Sequence, residues 1–193
     1  LYLFNASTDL LLNPEQRAYM YHRVREIRDW EGGKPIFTMD FQNDAEFVGG
    51  CIAGGKYYCH VNANGDMEPC VFIHYSSANI HDKSLLDCLR QPLFLDYQKN
   101  QPFNKNMLRP CPLLDNPGRL TQLVKKSGAK STDLTHPEDV EELSAKCVSA
   151  AKAWAAVSKE IWDNSEGRER SEEKLQKELD EKAEIRQKVG KAE

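Results

Sequence analysis

Two cysteines bracket a glycine in the pattern Cys51-x13-Gly65-x4-Cys70, and this spacing constrains the fold more than any other feature of the chain. Asn64-Gly65 is a favoured pair for a two-residue type I′ turn, because both central positions need φ > 0. Lys56–Asn62 before it and Met67–Phe72 after it read as strands, so the segment predicts a β-hairpin. A two-residue turn sets Ala63 opposite Asp66, His60 opposite Pro69 and Cys59 opposite Cys70. Pro69 then falls in a non-hydrogen-bonded pair, where its missing N–H costs nothing. The hairpin folds Cys70 back toward Cys51, which makes them two soft ligands for one site.

The six cysteines, at 51, 59, 70, 88, 111 and 147, are too sparse for a disulfide scaffold. In a reducing compartment such cysteines point to metal binding or catalysis. Thiolates hold zinc or iron-sulfur clusters, and the glycines around Cys51 leave backbone N–H groups free to donate to cluster sulfur. A cross-strand Cys59–Cys70 disulfide is a competing reading. Cys88 and Cys147 sit among apolar residues at helical spacing and read as packing residues. His60 and His74 read as structural histidines near the site.

A net charge of −4 and a pI near 5.8 argue against a nucleic-acid surface. No apolar run spans a membrane and no secretory leader opens the sequence, so the expected location is the cytoplasm, with neither membrane nor nucleic acid as partner. No Ser-His-Asp order, phosphate loop or His-Glu-x-x-His motif occurs.

Leu1–Phe4 reads as a strand. Asn13-Pro14, with Gln16 completing a capping box, predicts a helix whose apolar stripe is Met20, Val24 and Ile27 with Tyr21 and Trp30; Arg17, Arg23, Arg25 and Arg28 are expected on its solvated side, and Gly32-Gly33 ends it. Ile36–Phe41 reads as a second strand. Strand, helix, strand is the unit of parallel α/β folds, and one such unit cannot bury both faces of its sheet, so further βα units beyond this sequence are expected. Asp40, Gln42 and Asn43 follow the strand's carboxyl end, where barrel enzymes place site residues; an Asx-type turn explains them equally well.

Downstream, Ser84–Arg90 predicts a short helix stopped by Pro92, and 101–118 reads as a Pro-rich loop carrying Cys111, tied down by a metal. Thr135-His-Pro-Glu138 reads as a capping box opening a long helix, with Val140, Leu143, Cys147, Ala151, Trp154, Val157 or Ser158, and Ile161 on one face. Residues 166–193 are nearly all charge and predict a solvated or frayed helical tail.

The sequence Gly-Gly-Cys51-Ile-Ala-Gly-Gly, with His60-Val-Asn62, Gly65-Asp-Met-Glu-Pro-Cys70-Val-Phe72, Asn79-Ile80 and Pro92-Leu-Phe94, resembles the SPASM or "twitch" auxiliary-cluster domain of radical S-adenosylmethionine enzymes, most strongly over residues 36–118. The resemblance implies an auxiliary [4Fe-4S] cluster on Cys51 and Cys70, with Arg109-Pro-Cys111-Pro112 supplying Cys111 as third ligand. The fourth ligand stays open between Cys59, Cys88, a non-cysteine group and substrate. The full SPASM pattern continues with closely spaced cysteines that are absent here, so a single cluster fits better. No Cys-x3-Cys-x2-Cys occurs, so the chain should not cleave S-adenosylmethionine by itself. That cofactor is expected only in a full-length oxidoreductase, whose amino-terminal barrel would be this chain's partner.

The resulting expectation is an α/β (α+β) chain. Residues 1–48 form the last βα units of a partial barrel, 49–134 the SPASM/twitch-like cluster domain, 135–164 a packed helix and 165–193 the charged tail. Such enzymes often modify peptides, so a peptide is one substrate class the resemblance implies. The competing class is a non-catalytic zinc-binding or metal-free structural or interaction domain.

Overall fold

In the computed structural model, which describes residues 9–29, 32 and 36–189, helices and short antiparallel strand pairs are mixed in an α+β fold. The elements run α1 (Pro14–Arg28), α2 (Ala45–Val48), β1 (His60–Val61), β2 (Met67–Glu68), β3 (Tyr75–Ser76), α3 (Leu85–Leu89), α4 (Pro92–Lys99), α5 (Pro117–Ser127), β4 (Lys130–Ser131), α6 (Val140–Asp163) and α7 (Glu166–Val189). No helix among the described residues is long and apolar enough to cross a membrane.

Helix α1 starts as its capping box requires: Asn13 Oδ1 accepts from Gln16 N at 2.8 Å and Gln16 Oε1 accepts from Asn13 N at 3.0 Å. It ends at Arg28, four residues before the glycine pair. Its buried face is Arg17, Tyr21 and Val24, whereas Met20 is exposed, which corrects the expectation that Arg17 faces solvent. The expected strand Leu1–Phe4 and the side chain of Trp30 lie outside the described residues.

The second expected strand does not form. Ile36–Asp40 joins no strand ladder among the described residues, and Ile36, Phe37, Met39 and Phe41 are all exposed. A strand needs a neighbour to take its backbone hydrogen bonds, and here Arg28 takes the Thr38 carbonyl instead (Nη2–O 2.6 Å) while also binding both oxygens of Asp44.

The hairpin forms with a different register. His60 pairs with Glu68 and Val61 with Met67, which leaves three residues, Ala63-Asn64-Gly65, between Asn62 and Asp66. Asn62 explains the change. Its Oδ1 accepts from both Asn64 N (2.9 Å) and Asp66 N (3.0 Å), an Asx turn that closes a three-residue loop. Gly65 takes the left-handed position of such loops at φ +84°, where a Cβ would lie 2.6 Å from His81. The one-residue shift removes the Cys59–Cys70 pairing, and both thiols are free. A second ladder pairs Tyr75 with Ser131 and Ser76 with Lys130.

Pro92 does end α3, but it also occupies the first turn of α4, where its missing N–H costs nothing. The loop after α4 stays irregular to Asn116, and Pro117 opens α5 in the same way. Helix α6 is capped by Asp139, which accepts from Glu141 N and Glu142 N; Thr135 is held instead in a turn on Asp133. Its buried face, from Val140 through Leu143, Cys147, Ala151 and Trp154 to Ser158, follows the expected stripe and extends to Trp162.

Two cores result. The larger joins Met67, Ile73, Cys88, Leu93, Phe94, Tyr97, Leu120 and the first turns of α6. The smaller joins Tyr21, Leu108, Trp154 and Trp162, fastening α1 to α6 through the loop before Cys111. Helix α7 docks on α2 through the buried Glu46, which pairs with Arg25 on one oxygen and Arg170 on the other.

Candidate metal centre

Cys51, Cys70 and Cys111 come from three segments and pack against the same core. Cys51 follows α2, Cys70 follows β2 in a tight bridge to Ile73, and Cys111 lies in the irregular stretch before α5. Tyr97 of α4 is a fully buried tyrosine of that core, and its hydroxyl lies 3.3 Å from Cys51 Sγ. Burial pushes the Tyr97 phenol well above its usual range, and the charges of Cys51, Cys70 and Cys111 all add to that rise. The three sulfurs therefore share one electrostatic neighbourhood.

Burial likewise pushes the Cys70 thiol up to about 12, with the Cys51 thiolate adding to it. The Cys111 thiol is raised well above its usual range, by burial first and then by Asp115, Cys51 and Cys70. Cys51 also rises through burial, partly offset by Tyr97. Thiols in this state stay protonated at neutral pH, so a metal that binds here displaces protons as it does so.

Backbone and second-layer groups hold Cys111 in place. Its Sγ accepts from Leu114 N at 3.3 Å, and its own N–H donates to Asp115 Oδ2 at 3.0 Å. The other Asp115 oxygen binds Arg17 Nη1 at 2.8 Å, in an ion pair whose carboxylate has no exposure. The Arg17 guanidinium lies over Trp154, its Cζ 4.2 Å from the ring centre, and with Trp154 Nε1 it donates to the Leu108 carbonyl. Arg17, Asp115 and Tyr97 thus support the site, and none has a local sequence signature; only the four-residue offset of Asp115 from Cys111 hints at its role.

Of the remaining candidates, Cys59 packs against the same core as these three and the others fall elsewhere. Cys59 is half-buried and its thiol is raised by burial alone, with no contribution from the three other cysteines. Cys88 and Cys147 are core residues, as their helical positions suggested. Asp40, Gln42 and Asn43 form the Asx-type turn: Asp40 accepts from Gln42 N and Asn43 Nδ2, and nothing brings them to the cysteines. His60 and His74 both donate to the buried carboxylate of Glu68, at 2.8 and 3.2 Å, and Asn62 and Thr132 complete its shell.

This carboxylate sets one pH dependence. Burial alone would raise the Glu68 carboxyl, but the hydrogen bonds from His74, Thr132 and His60 outweigh it and hold it low. Its bond to Glu68 raises the His74 imidazolium. His74 therefore contributes stability that is fully present below the ordinary histidine range and lost as pH rises through its raised folded value. Urea denaturation should show stability falling as pH rises from the ordinary histidine value of about 6.5 upward, a fall that His74→Gln removes; an unchanged slope in that variant would refute the linkage.

A close approach at Gly54 gives a second expectation. Gly54 adopts φ +67°, and a Cβ there would lie 2.4 Å from Cδ1 of Tyr97. Gly54→Ala should cost roughly 2–4 kcal/mol from overpacking plus backbone strain, and should move the Tyr97 hydroxyl away from Cys51. Urea unfolding reads the first effect, and reduced uptake of iron and sulfide reads the second.

Among the described residues, no three His, Cys, Asp or Glu side chains converge on a point suited to a single metal ion. No curated protein and no solved structure matches this chain. A family model does match: residues 51–112 are similar to the SPASM iron-sulfur cluster-binding domain, in a match that opens on Cys51 and closes on the residue after Cys111.

Proposed function

We propose that Cys51, Cys70 and Cys111 hold one [4Fe-4S] cluster, and that the chain is the carboxy-terminal portion of a radical S-adenosylmethionine oxidoreductase in which this cluster is auxiliary. What supports the reading is that Cys51, Cys70 and Cys111, from three distant segments, pack against one core that includes Tyr97, within residues that match a cluster-binding domain model. The donor set suits the group: thiolates are the ligands of iron-sulfur clusters, and a cubane offers each a different iron, so they need not converge on one point. Tetrahedral zinc would draw its sulfurs to within about 3.8 Å of one another, and the absence of a single-ion constellation among the described residues weighs against it.

Bound here, the cluster would supply electron transfer or a Lewis-acidic iron beside substrate. The chain's own part is to exclude water with Tyr97 and Phe103, which meet edge to face, and to orient Cys111 through Asp115 and Arg17. No Cys-x3-Cys-x2-Cys is present to hold a cluster that cleaves S-adenosylmethionine, so an auxiliary role is the one these residues can fill. The exposed apolar strip Ile36–Phe41 supports the larger reading, because it is what a strand expected to pair within a barrel sheet would present. A peptide is the substrate class the family likeness suggests.

Anaerobic reconstitution with iron and sulfide tests the proposal. The expected product is a brown protein with a broad band near about 400 nm and close to four irons and four sulfides per chain. Stoichiometric zinc uptake with no sulfide retained would overturn it.

A further inference from the structure

We propose that His74, through the buried carboxylate it shares with His60, takes up a proton when an electron reaches the cluster assigned to Cys51, Cys70 and Cys111, an inference that rests on that assignment. The exchange is one for one. A one-electron reductant supplies the electron, water supplies the proton, and both leave again on oxidation.

The connection runs through Glu68, whose side chain is 1% exposed and which stands two residues before Cys70. Two residues of chain span at most about 7 Å, so the carboxylate belongs to the surroundings of the Cys70 thiol. Burial is the first cause that raises the Cys70 thiol and the Tyr58 phenol, and the Glu68 charge adds to both rises. On its other side the same carboxylate meets bases that water can reach. His60 of β1 and His74, the residue before β3, place Nδ1 at 2.8 and 3.2 Å from one oxygen of Glu68, with side chains 32% and 25% exposed. Asn62 and Thr132 donate to the other oxygen. With Nδ1 turned to Glu68, each ring keeps Nε2 for a proton from solvent. Asp133, which follows β4, acts on His74 as a second carboxylate, so the proton is assigned there.

The other buried carboxylate at the cysteines cannot play this part. Asp115 faces Arg17, whose guanidinium does not titrate. At Glu68 an electron arriving on the cysteine side adds to the negative charge already presented to His74 and strengthens its hold on the proton. A unit charge about 10 Å away, at an effective dielectric constant of about 20, changes a proton affinity roughly tenfold.

Anaerobic potentiometric titration of the reconstituted full chain, with dithionite as reductant, tests the inference. The midpoint potential should fall as pH rises above the ordinary histidine value of about 6.5 and then level off, by about 59 mV in all, which is a tenfold tighter hold on one proton for one electron. His74→Gln, which can still donate to Glu68 but carries no charge, should give a pH-independent potential near the alkaline limit. His74→Lys, which keeps the charge, should give a pH-independent potential near the acid limit. Iron and sulfide content equal to the parent's shows that both variants have folded around the cluster. A loaded parent whose potential does not move with pH, or a parental slope in either variant, would overturn the inference and leave the cluster assignment standing; a parent that retains no iron and sulfide overturns the assignment and the inference with it.

Discussion

Alanine at Cys51, Cys70 or Cys111, one position at a time, is expected to cut the iron and sulfide retained after anaerobic reconstitution by at least about tenfold. Loss of groups that merely orient a metal's ligands costs 10–100-fold in affinity, and losing a ligand should cost no less. The comparison that gives the result its meaning is with Cys88→Ala and Cys147→Ala. Both side chains are core, so each substitution should cost roughly 1–2 kcal/mol of stability and leave the cluster content unchanged. Cys59→Ala belongs in the same series. It packs against the same core and its thiol is raised by burial alone, so full retention is expected there, and partial loss would instead make Cys59 the fourth ligand. A Cys51→Ala chain that reconstitutes like the parent would end the three-cysteine assignment.

Arg17→Met should be the most damaging substitution outside the cysteines. It strips the partner from an Asp115 carboxylate with no exposure, and removing one member of a buried pair costs about 3–5 kcal/mol. For a chain of this size that is a fall in Tm of roughly 10 °C. It also removes the cation lying on Trp154, the residue through which α6 holds the Leu108 carbonyl.

The direction of its pH dependence follows from burial. The Asp115 carboxyl is already raised, burial outweighing the opposing pull of Arg17. Without Arg17 it should rise further, so the variant's deficit should shrink as pH falls and the acid is protonated. Asp115→Asn introduced into the same chain should recover most of the loss, since the uncompensated charge is gone. Differential scanning calorimetry of the parent and the two variants reads all of this; an Arg17→Met chain within about 1 kcal/mol of the parent would show that the pair is not structural. Cluster uptake should fall in step, because Asp115 is also what positions the Cys111 amide.

The elements that sequence could place were those governed by local chemistry. The α1 capping box involves residues three apart, so Asn13 and Gln16 declare it without help from the rest of the chain. The α6 stripe was legible for the same reason: an apolar residue every third or fourth position can bury only as one helical face. Errors arose where a side chain competed with a backbone preference. Asn62 reset the hairpin from two loop residues to three, and a shift of that size is invisible in a pattern that both registers satisfy. Ile36–Phe41 has strand composition, but a strand is made by its neighbour, and composition cannot supply one.

The cysteine spacing singles out Cys51 and Cys70, because thiolate chemistry is carried by residue type and the hairpin by Asn64-Gly65, whereas Cys111 joins them only through its loop position and the family resemblance. What holds those three together came only from the tertiary fold. Tyr97 reaches them from a helix 46 residues beyond Cys51, and Arg17 reaches Asp115 across 98 residues. Arg17 looked like one of four solvated arginines on an amphipathic helix; it is buried because the carboxylate and indole that satisfy it arrive from α6 and the Cys111 loop. A residue's chemistry is local and can be read along the chain, whereas its burial depends on which distant surfaces fold over it.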